Sequence, residues 1–356
     1  MPEFDILRLD LPDANAAAKE QMKCFPSTRY MGSKNKILGE IWNTASQIDF
    51  SCVVDLFSGS GAVSYMFKCQ KKTVISNDYL HMAANIATAL IENQSERLQS
   101  EDIQLLTLDQ GTSDFFVTRT FDGIYYDRED NEFIDRIRCN LSMLAHPYKQ
   151  ALARAALIRA CLKKQARGIF TYTGRRYDDG RKDLQLTMCE HFVMATNELN
   201  AAVFDNWQEN RVYNRDAFDL TVPEAALIYM DPPYYSRYSD NDYIRRYHLV
   251  EGIARDWSGV EIQMGTKTKK FKTSPSPFAT ERGAINALET LFDRYRHHPI
   301  LLSYSSNSLP DKDRILSMLK NHKQAVEVVP VDYRYCIGNQ NARGRNKVQE
   351  YIFVGC

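Results

Sequence analysis

The chain has 356 residues, 44% of them hydrophobic and 25% charged, and its 45 basic side chains balance 45 acidic ones. Values this ordinary exclude a disordered tail protein and a collagen-like repeat. The zero net charge excludes association with nucleic acid driven by bulk charge alone, while leaving room for a local basic face. No run approaches the ~18 consecutive apolar residues of a membrane span. The opening Met1-Pro2-Glu3-Phe4-Asp5 lacks the basic-then-apolar layout of a secretion signal, so a soluble, cytoplasmic protein with no membrane association is expected. Eight cysteines, at 24, 52, 69, 139, 161, 189, 336 and 356, form no CxxC pair. Free thiols and no bound metal are expected.

Residues 36–48 read as a helix. Cys52–Phe57 reads as a short buried strand, ended by Ser58-Gly59-Ser60-Gly61 and followed by a helix over Ala62–Lys68. Thr73–Asp78 is a second strand, and a long helical pattern runs from His81 to about Gln99. This order demands a parallel sheet with right-handed crossovers. From about 95 to 205 the alternation gives way to helices, chiefly Asn131–Leu144, Pro147–Gln165 and Asp183–Phe204. Between the last two, residues 167–180 are rich in β-formers and turn glycines, which predicts a hairpin or an ordered loop. Strands resume at Arg211–Tyr213 and Ala225–Met230, helices at 243–257 and 280–297. A strand over Pro299–Tyr304, a helix over Pro310–Asn321 and an antiparallel pair, Ala325–Tyr335 with Val348–Val354, close the chain. The parse is a discontinuous α/β core, 1–94 and 206–356, interrupted by a helical insertion at 95–205.

Two motifs carry chemistry. In Asp55-Leu56-Phe57-Ser58-Gly59-Ser60-Gly61, glycines directly after a strand allow a tight turn and close backbone approach to a ligand, and the next helix N-terminus favours negative charge. Asp78 lies 19 residues beyond Gly59 at the end of the following strand, placed for ribose hydroxyls. That placement suits NAD and S-adenosylmethionine equally. The second motif, Met230-Asp231-Pro232-Pro233-Tyr234, follows a buried strand and so falls at the carboxyl edge of the sheet beside the glycine turn. Two successive prolines offer a stiff backbone with carbonyl acceptors and no amide donors. A carboxylate, a bare carbonyl and an aromatic face make a socket for a flat heterocycle bearing an exocyclic amine.

Asp231-Pro232-Pro233-Tyr234 resembles the catalytic tetrapeptide of amino-group DNA methyltransferases, and Asp55–Gly61 is similar to the cofactor loop of the same enzymes. Arg29-Tyr30-Met31-Gly32-Ser33-Lys34 resembles their N-terminal cofactor segment. The order of these motifs, with an insertion between the last two, is that of the D12, or class alpha, N6-adenine-specific DNA methyltransferases. The run Phe25–Tyr30, with Tyr247-His248-Leu249-Val250-Glu251, looks most like the branch serving type IIS restriction–modification systems, alongside the Dam-like enzymes. The resemblance covers about residues 25–356. It implies the Rossmann-like methyltransferase fold, a mostly parallel sheet with a C-terminal antiparallel hairpin, and a helical target-recognition insertion.

The resemblance further implies S-adenosylmethionine as cofactor, double-stranded DNA as substrate and a cognate restriction endonuclease as a partner. Tyr30 and Lys34 would touch the cofactor, Phe57, Gly59 and Gly61 would line its methionine end, and Asp55 would face its ammonium. Asp78 would hold the ribose hydroxyls. Asp216, or the nearby Asp219, would contact the cofactor adenine. The catalytic group would be Asp231, Pro232, Pro233 and Tyr234: hydrogen bonds from the adenine amine to the carboxylate and the Pro232 carbonyl favour a pyramidal nitrogen, while Tyr234 stacks on the base. A base buried in a duplex must be flipped out to reach such a socket.

Residues 163–182 hold seven basic side chains: Lys163, Lys164, Arg167, Arg175, Arg176, Arg181 and Lys182. Thr171, Tyr172 and Tyr177 are interleaved among them. A basic hairpin at 167–182 suits phosphate anchoring and base-edge reading. The stretch 267–272, with Lys269 and Lys270, reads as a mobile loop able to close on phosphates, and 339–347 is a third basic candidate. His248 is expected in a packing or capping role. Methylation of RNA or of cytosine N4 by the same socket, a dinucleotide-dependent oxidoreductase and a non-catalytic DNA-binding subunit remain alternatives.

Overall fold

The computed structural model describes residues 14–109, 112–173, 180–237, 242–334 and 347–356. In chain order the elements are α1 (Ala14–Lys23), α2 (Leu38–Ala45), β1 (Cys52–Asp55), α3 (Ala62–Cys69), β2 (Thr73–Asn77), α4 (His81–Ala87), α5 (Ser100–Thr107), α6 (Phe116–Phe121), α7 (Arg128–Asn140), α8 (Pro147–Lys164), α9 (Lys182–Gln185), α10 (Met188–Ala202), β3 (Arg211–Tyr213), β4 (Ala226–Met230), α11 (Tyr243–Arg255), α12 (Glu281–Arg294), β5 (Ile300–Ser305), α13 (Lys312–Lys320), β6 (Val326–Arg334) and β7 (Lys347–Gly355). The strands form one seven-stranded sheet in the order β3-β2-β1-β4-β5-β7-β6. Neighbours from β3 to β5 are parallel, while β7 runs antiparallel to both β5 and β6. This is the methyltransferase-type sheet with the expected C-terminal antiparallel pair.

Period-two alternation sends neighbouring residues to opposite faces. Val53, Val74, Leu227, Leu301 and Ile352 face the layer that contains α3, α4, α8, α10 and α11. Val54, Ile75, Ile228, Leu302 and Phe353 face α12 and α13. Leu157 of α8 and Phe192 of α10 belong to the same apolar core as the sheet residues of the first face. The helical region 95–205 is therefore continuous with one layer of the α/β core.

The helix expected over 81–99 stops early. α4 passes into a single π-helical stretch, Thr88–Glu92, and Asn93 leaves it in extended backbone. The buried ammonium of Lys68 donates to the carbonyls of Leu90 at 2.9 Å and Asn93 at 2.8 Å, so a side chain from α3 caps the helix end. The Asn93 side chain accepts from the Ser95 and Glu96 amides and turns the chain away. The helix expected over 183–204 begins instead at Met188, where Thr187 and Glu190 form a reciprocal capping box. Helices α5 and α6 lie in a stretch given no element from the sequence. The described part of the expected hairpin, 167–173, contains no strand; its backbone is tied to α11 through Phe170 N donating to Arg246 O at 2.7 Å. Among the described residues no helix is long and apolar enough to cross a membrane.

Candidate active site

Both motifs meet at the carboxyl edge of the adjacent parallel strands β1 and β4. The turn after β1 needs left-handed backbone at Gly59 (φ +50°) and Gly61 (φ +78°), a region costly for residues with a Cβ. The Gly59 amide donates to Asp78 Oδ2 at 2.7 Å and the Leu80 amide to Asp78 Oδ1 at 2.8 Å, so this carboxylate joins the glycine turn to the start of α4. Burial pushes Asp78 up to about 6, against the pull of those two amides.

Asp55, at the end of β1, is fully buried and accepts from Ser64 Oγ at 2.7 Å through Oδ2. Its Oδ1 is buried without a hydrogen-bond partner. Burial raises its carboxyl to about 7; the Ser64 hydroxyl opposes this, and the charges of Asp231 and Asp78 add to it. A buried carboxylate oxygen left open in this way is suited to a cation brought by a ligand.

After β4 the chain places Asp231 within a compact polar network. Lys34 Nζ lies 2.8 Å from Asp231 Oδ1 and 3.5 Å from Glu350 Oε1. The Tyr234 hydroxyl is 2.7 Å from Asp231 Oδ1 and 2.5 Å from Glu350 Oε1. Burial alone would lower the Lys34 ammonium, but the two carboxylates outweigh it and hold it above its ordinary value. Burial raises Glu350, with Lys34 pulling it down and Asp231 pushing it further up. The ring of Tyr234 rests on Tyr304, centroids 4.8 Å apart.

The N-terminal segment closes the other side. Tyr30 stacks parallel on Tyr247 of α11 at 5.2 Å, and Tyr247 Oη accepts from the Met31 amide at 2.8 Å. A Cβ at Gly59 would come within 2.9 Å of the Tyr30 ring, so the glycine and the tyrosine fit each other directly. Glu251, also on α11, accepts from the His81 and Met82 amides at the N-terminus of α4, both at 3.0 Å.

These groups open into one cavity of about 790 Å³, within the range of a small-molecule site. Tyr30, Lys34, Asp55, Phe57, Gly59, Asp78, Asp216, Asp231, Pro232, Pro233 and Tyr234 all line it. Gly61 does not: it is the N-cap of α3 and shapes the turn from behind. Of the two acidic candidates for the cofactor adenine, Asp216 lines the cavity and Asp219 does not. Lys34, expected on the cofactor, lines the cavity and is ion-paired there with Asp231. Glu350, Glu251 and Tyr243 have no role in the sequence reading. Glu350 had a signal, since it shares its strand register with Ile352, which faces the core.

The DNA-contact candidates are divided. Arg167 is exposed and its guanidinium lies over the Tyr172 ring at 5.9 Å; Thr171 and Tyr172 are half-buried. Arg175, Arg176 and Tyr177 lie outside the described residues, as does most of 339–347. The stretch 267–272 is no open loop: Gln263 N donates to Lys270 O, Lys272 N donates to Glu261 O, and Phe271 is buried. Lys269, expected on phosphate, turns inward and donates to Thr120 O at 2.6 Å. His248 is buried and packs as expected, its Nε2 2.8 Å from Tyr125 Oη, and burial lowers it to about 3, so it stays neutral. Tyr125 Oη also lies within hydrogen-bond distance of Phe170 O at 3.0 Å and Thr268 O at 2.7 Å, so helical region, α11 and basic stretch meet at one point.

The sheet order, the glycine turn at β1 and the Asp-Pro-Pro-Tyr edge at β4 define the class as a methyltransferase of α/β fold. The family profile for D12 class N6 adenine-specific DNA methyltransferases matches residues 30–307, and the chain belongs to that family. It is 28% identical over 346 residues to the type II methyltransferase M2.HphI of Haemophilus parahaemolyticus, covering 93% of this chain and 97% of that protein. It is 26% identical to the type II methyltransferase M.FokI of Planomicrobium okeanokoites over 91% of this chain but only 52% of that protein. With the type II methyltransferase M.NlaIII of Neisseria lactamica the identity is 23%, over 91% of this chain and 98% of the relative. The chain thus spans nearly all of two of these relatives and about half of the third.

Proposed function

We propose that the chain methylates N6 of an adenine turned out of duplex DNA, with S-adenosylmethionine as donor, as the modification enzyme of a cytoplasmic restriction–modification system. The observation that carries this reading is that Asp55, whose buried Oδ1 has no hydrogen-bond partner, lines one cavity together with Asp231 and Pro232. The cofactor fits the residues present. Its ammonium suits the orphaned carboxylate oxygen of Asp55, its ribose suits Asp78, and its adenine suits Asp216 at the exposed rim. Gly59, having no Cβ, leaves room beside Tyr30.

When bound, S-adenosylmethionine supplies an electrophilic methyl on a sulfonium, a good leaving group. Asp231 and the Pro232 carbonyl accept the two amine hydrogens of the target adenine. That favours a pyramidal nitrogen whose lone pair is localised rather than delocalised into the ring, and stabilises the positive charge that develops on it. Tyr234 presents its ring at the cavity wall and holds Asp231 in place through its hydroxyl. The prolines keep the acceptors fixed, so no reorganisation is needed at the moment of reaction.

Turning out the base costs a few kcal/mol, and phosphate contacts offset it. Arg167, Lys182, Lys270 and the basic run at 175–176 are the groups assigned to that role; Lys164 and Arg181 are committed to contacts inside the fold. The type II names of the relatives support a modification role and a paired endonuclease. The test is to incubate the protein with DNA and isotope-labelled S-adenosylmethionine, then digest the DNA to nucleosides. Label in N6-methyladenine is expected; label in N4-methylcytosine, or none, overturns the proposal.

A further inference from the structure

We propose that Glu350 is a positioning residue that takes over the ammonium of Lys34 when a base amine arrives at Asp231, freeing the catalytic carboxylate for its substrate. The inference deepens the function proposed above and rests on Asp231 being the amine acceptor. Asp231 Oδ1 already serves two donors, Lys34 Nζ at 2.8 Å and Tyr234 Oη at 2.7 Å. Both donors sit on Oδ1, and an ammonium held there neutralises the carboxylate that must stabilise the positive charge developing on N6.

Lys34 cannot simply be pushed aside. Its side chain is 6% exposed, and an ammonium stripped of its anion in such surroundings is strongly disfavoured. Glu350 resolves the conflict. Its carboxylate is 7% exposed and lies 3.5 Å from the same ammonium, within an ion-pair shell but behind Asp231 in closeness. A small swing of Nζ exchanges the two partners without exposing the charge to an apolar wall.

Tyr234 follows the exchange. Its hydroxyl has one proton and two carboxylate acceptors, Asp231 Oδ1 and Glu350 Oε1. As the ammonium settles on Glu350, that proton serves Asp231 and keeps its carboxylate aligned. Lys34 also donates to Gly32 O at 3.0 Å, a contact that can stay in place while the allocation of donors between the two carboxylates changes. No proton has to enter or leave.

The experiment compares wild type, Glu350→Gln and Glu350→Asp in single-turnover methylation of adenine-unmethylated genomic DNA at saturating S-adenosylmethionine, with cofactor affinity read by calorimetric titration. Glu350→Gln keeps the shape but removes the alternative anion. It should slow methyl transfer on the order of a hundredfold and leave cofactor affinity unchanged, and Glu350→Asp should recover most of the rate. A double-mutant cycle with Lys34→Met separates this from a merely structural role. Once the ammonium is gone there is nothing to hand over, so Glu350→Gln should then cost less than about threefold. Full rate in Glu350→Gln, additive losses in the cycle, or an equal loss of cofactor affinity would overturn the proposal. Should Glu350→Gln fail to fold, Glu350→Ala replaces it in the same cycle: a slowed rate removed by Lys34→Met supports the exchange, and additivity refutes it. A wild-type chain that forms no N6-methyladenine would instead defeat the functional reading itself.

Discussion

The Gly59 amide and the Asp78 carboxylate are joined at 2.7 Å, which makes the turn after β1 and the end of β2 a single unit. Asp78 uses its other oxygen on the Leu80 amide at 2.8 Å. Asp78→Ala would remove both the proposed ribose contact and the clamp on the glycine turn. S-adenosylmethionine affinity should fall by ten- to a hundredfold, as a charge-assisted hydrogen bond is worth about 1.5–3 kcal/mol. Calorimetric titration checks it, and an unchanged dissociation constant would take Asp78 out of the site.

Asp55 gives the pH dependence two opposite signs. Its carboxyl is raised from 3.8 to about 7, so between those values the folded chain holds a proton that the unfolded chain has released. Its stabilising contribution is complete below pH 3.8 and disappears as pH rises through about 7. At about 1.4 kcal/mol per pKa unit the term is on the order of 4 kcal/mol, and Asp55→Asn should abolish it. Cofactor binding runs the other way. A cationic ammonium needs the ionised carboxylate, so affinity should rise towards pH 7 by about tenfold per unit and lose that slope in Asp55→Asn. Thermal melts and titrations over the same pH series test both signs together.

Asp231→Asn separates chemistry from cofactor binding. The amide cannot accept the base amine as a carboxylate does, so turnover should drop on the order of 10²–10³-fold. S-adenosylmethionine affinity should stay close to wild type, because Asp55, Asp78 and Gly59 are untouched. Single-turnover kinetics with a parallel cofactor titration measures the split. Equal losses in both quantities would contradict the role given to Asp231.

What could be read from the sequence was local. The turn at 58–61 is legible because glycines after an apolar strand have few structural alternatives, and the Asp-Pro-Pro-Tyr edge because two prolines fix their own backbone. The parallel core follows from strand–helix alternation, and the strands fall within one or two residues of their expected limits. What escaped depends on distant parts of the chain. The helical run that begins as α4 ends at Glu92, where Lys68, from α3, binds the Leu90 and Asn93 carbonyls, and no periodicity within 81–99 encodes that. Glu350 joins the site only because β7 pairs with β5, setting it opposite Ser305. Lys269 carries the charge of a phosphate contact yet spends it on Thr120 O, because the turn it occupies folds back on α6.

Gly59→Ala tests the fit between the turn and the N-terminal segment. The backbone there has φ +50°, and a Cβ would lie 2.9 Å from the Tyr30 ring. Left-handed backbone alone costs an alanine about 1–2 kcal/mol, and moving Tyr30 disturbs its stack on Tyr247. The variant should unfold at lower denaturant by roughly that amount and bind S-adenosylmethionine more weakly. An alanine variant with unchanged affinity would mean the turn does not approach the ligand.

Salt dependence tests the basic run at 175–176. Each phosphate neutralised by a side chain releases condensed counterions, so the logarithm of DNA affinity falls against the logarithm of salt concentration with a slope of about −0.9 per contact. Replacing Arg175 and Arg176 together by alanine should reduce the magnitude of that slope by about 1.8 and weaken binding at all sequences alike, without changing cofactor affinity. Arg167, exposed over the Tyr172 ring, should behave differently. On the proposal that it reads base edges as well as phosphate, its alanine variant should lose discrimination between target and non-target DNA in addition to slope. A double variant with the wild-type slope would show that the two arginines make no phosphate contact.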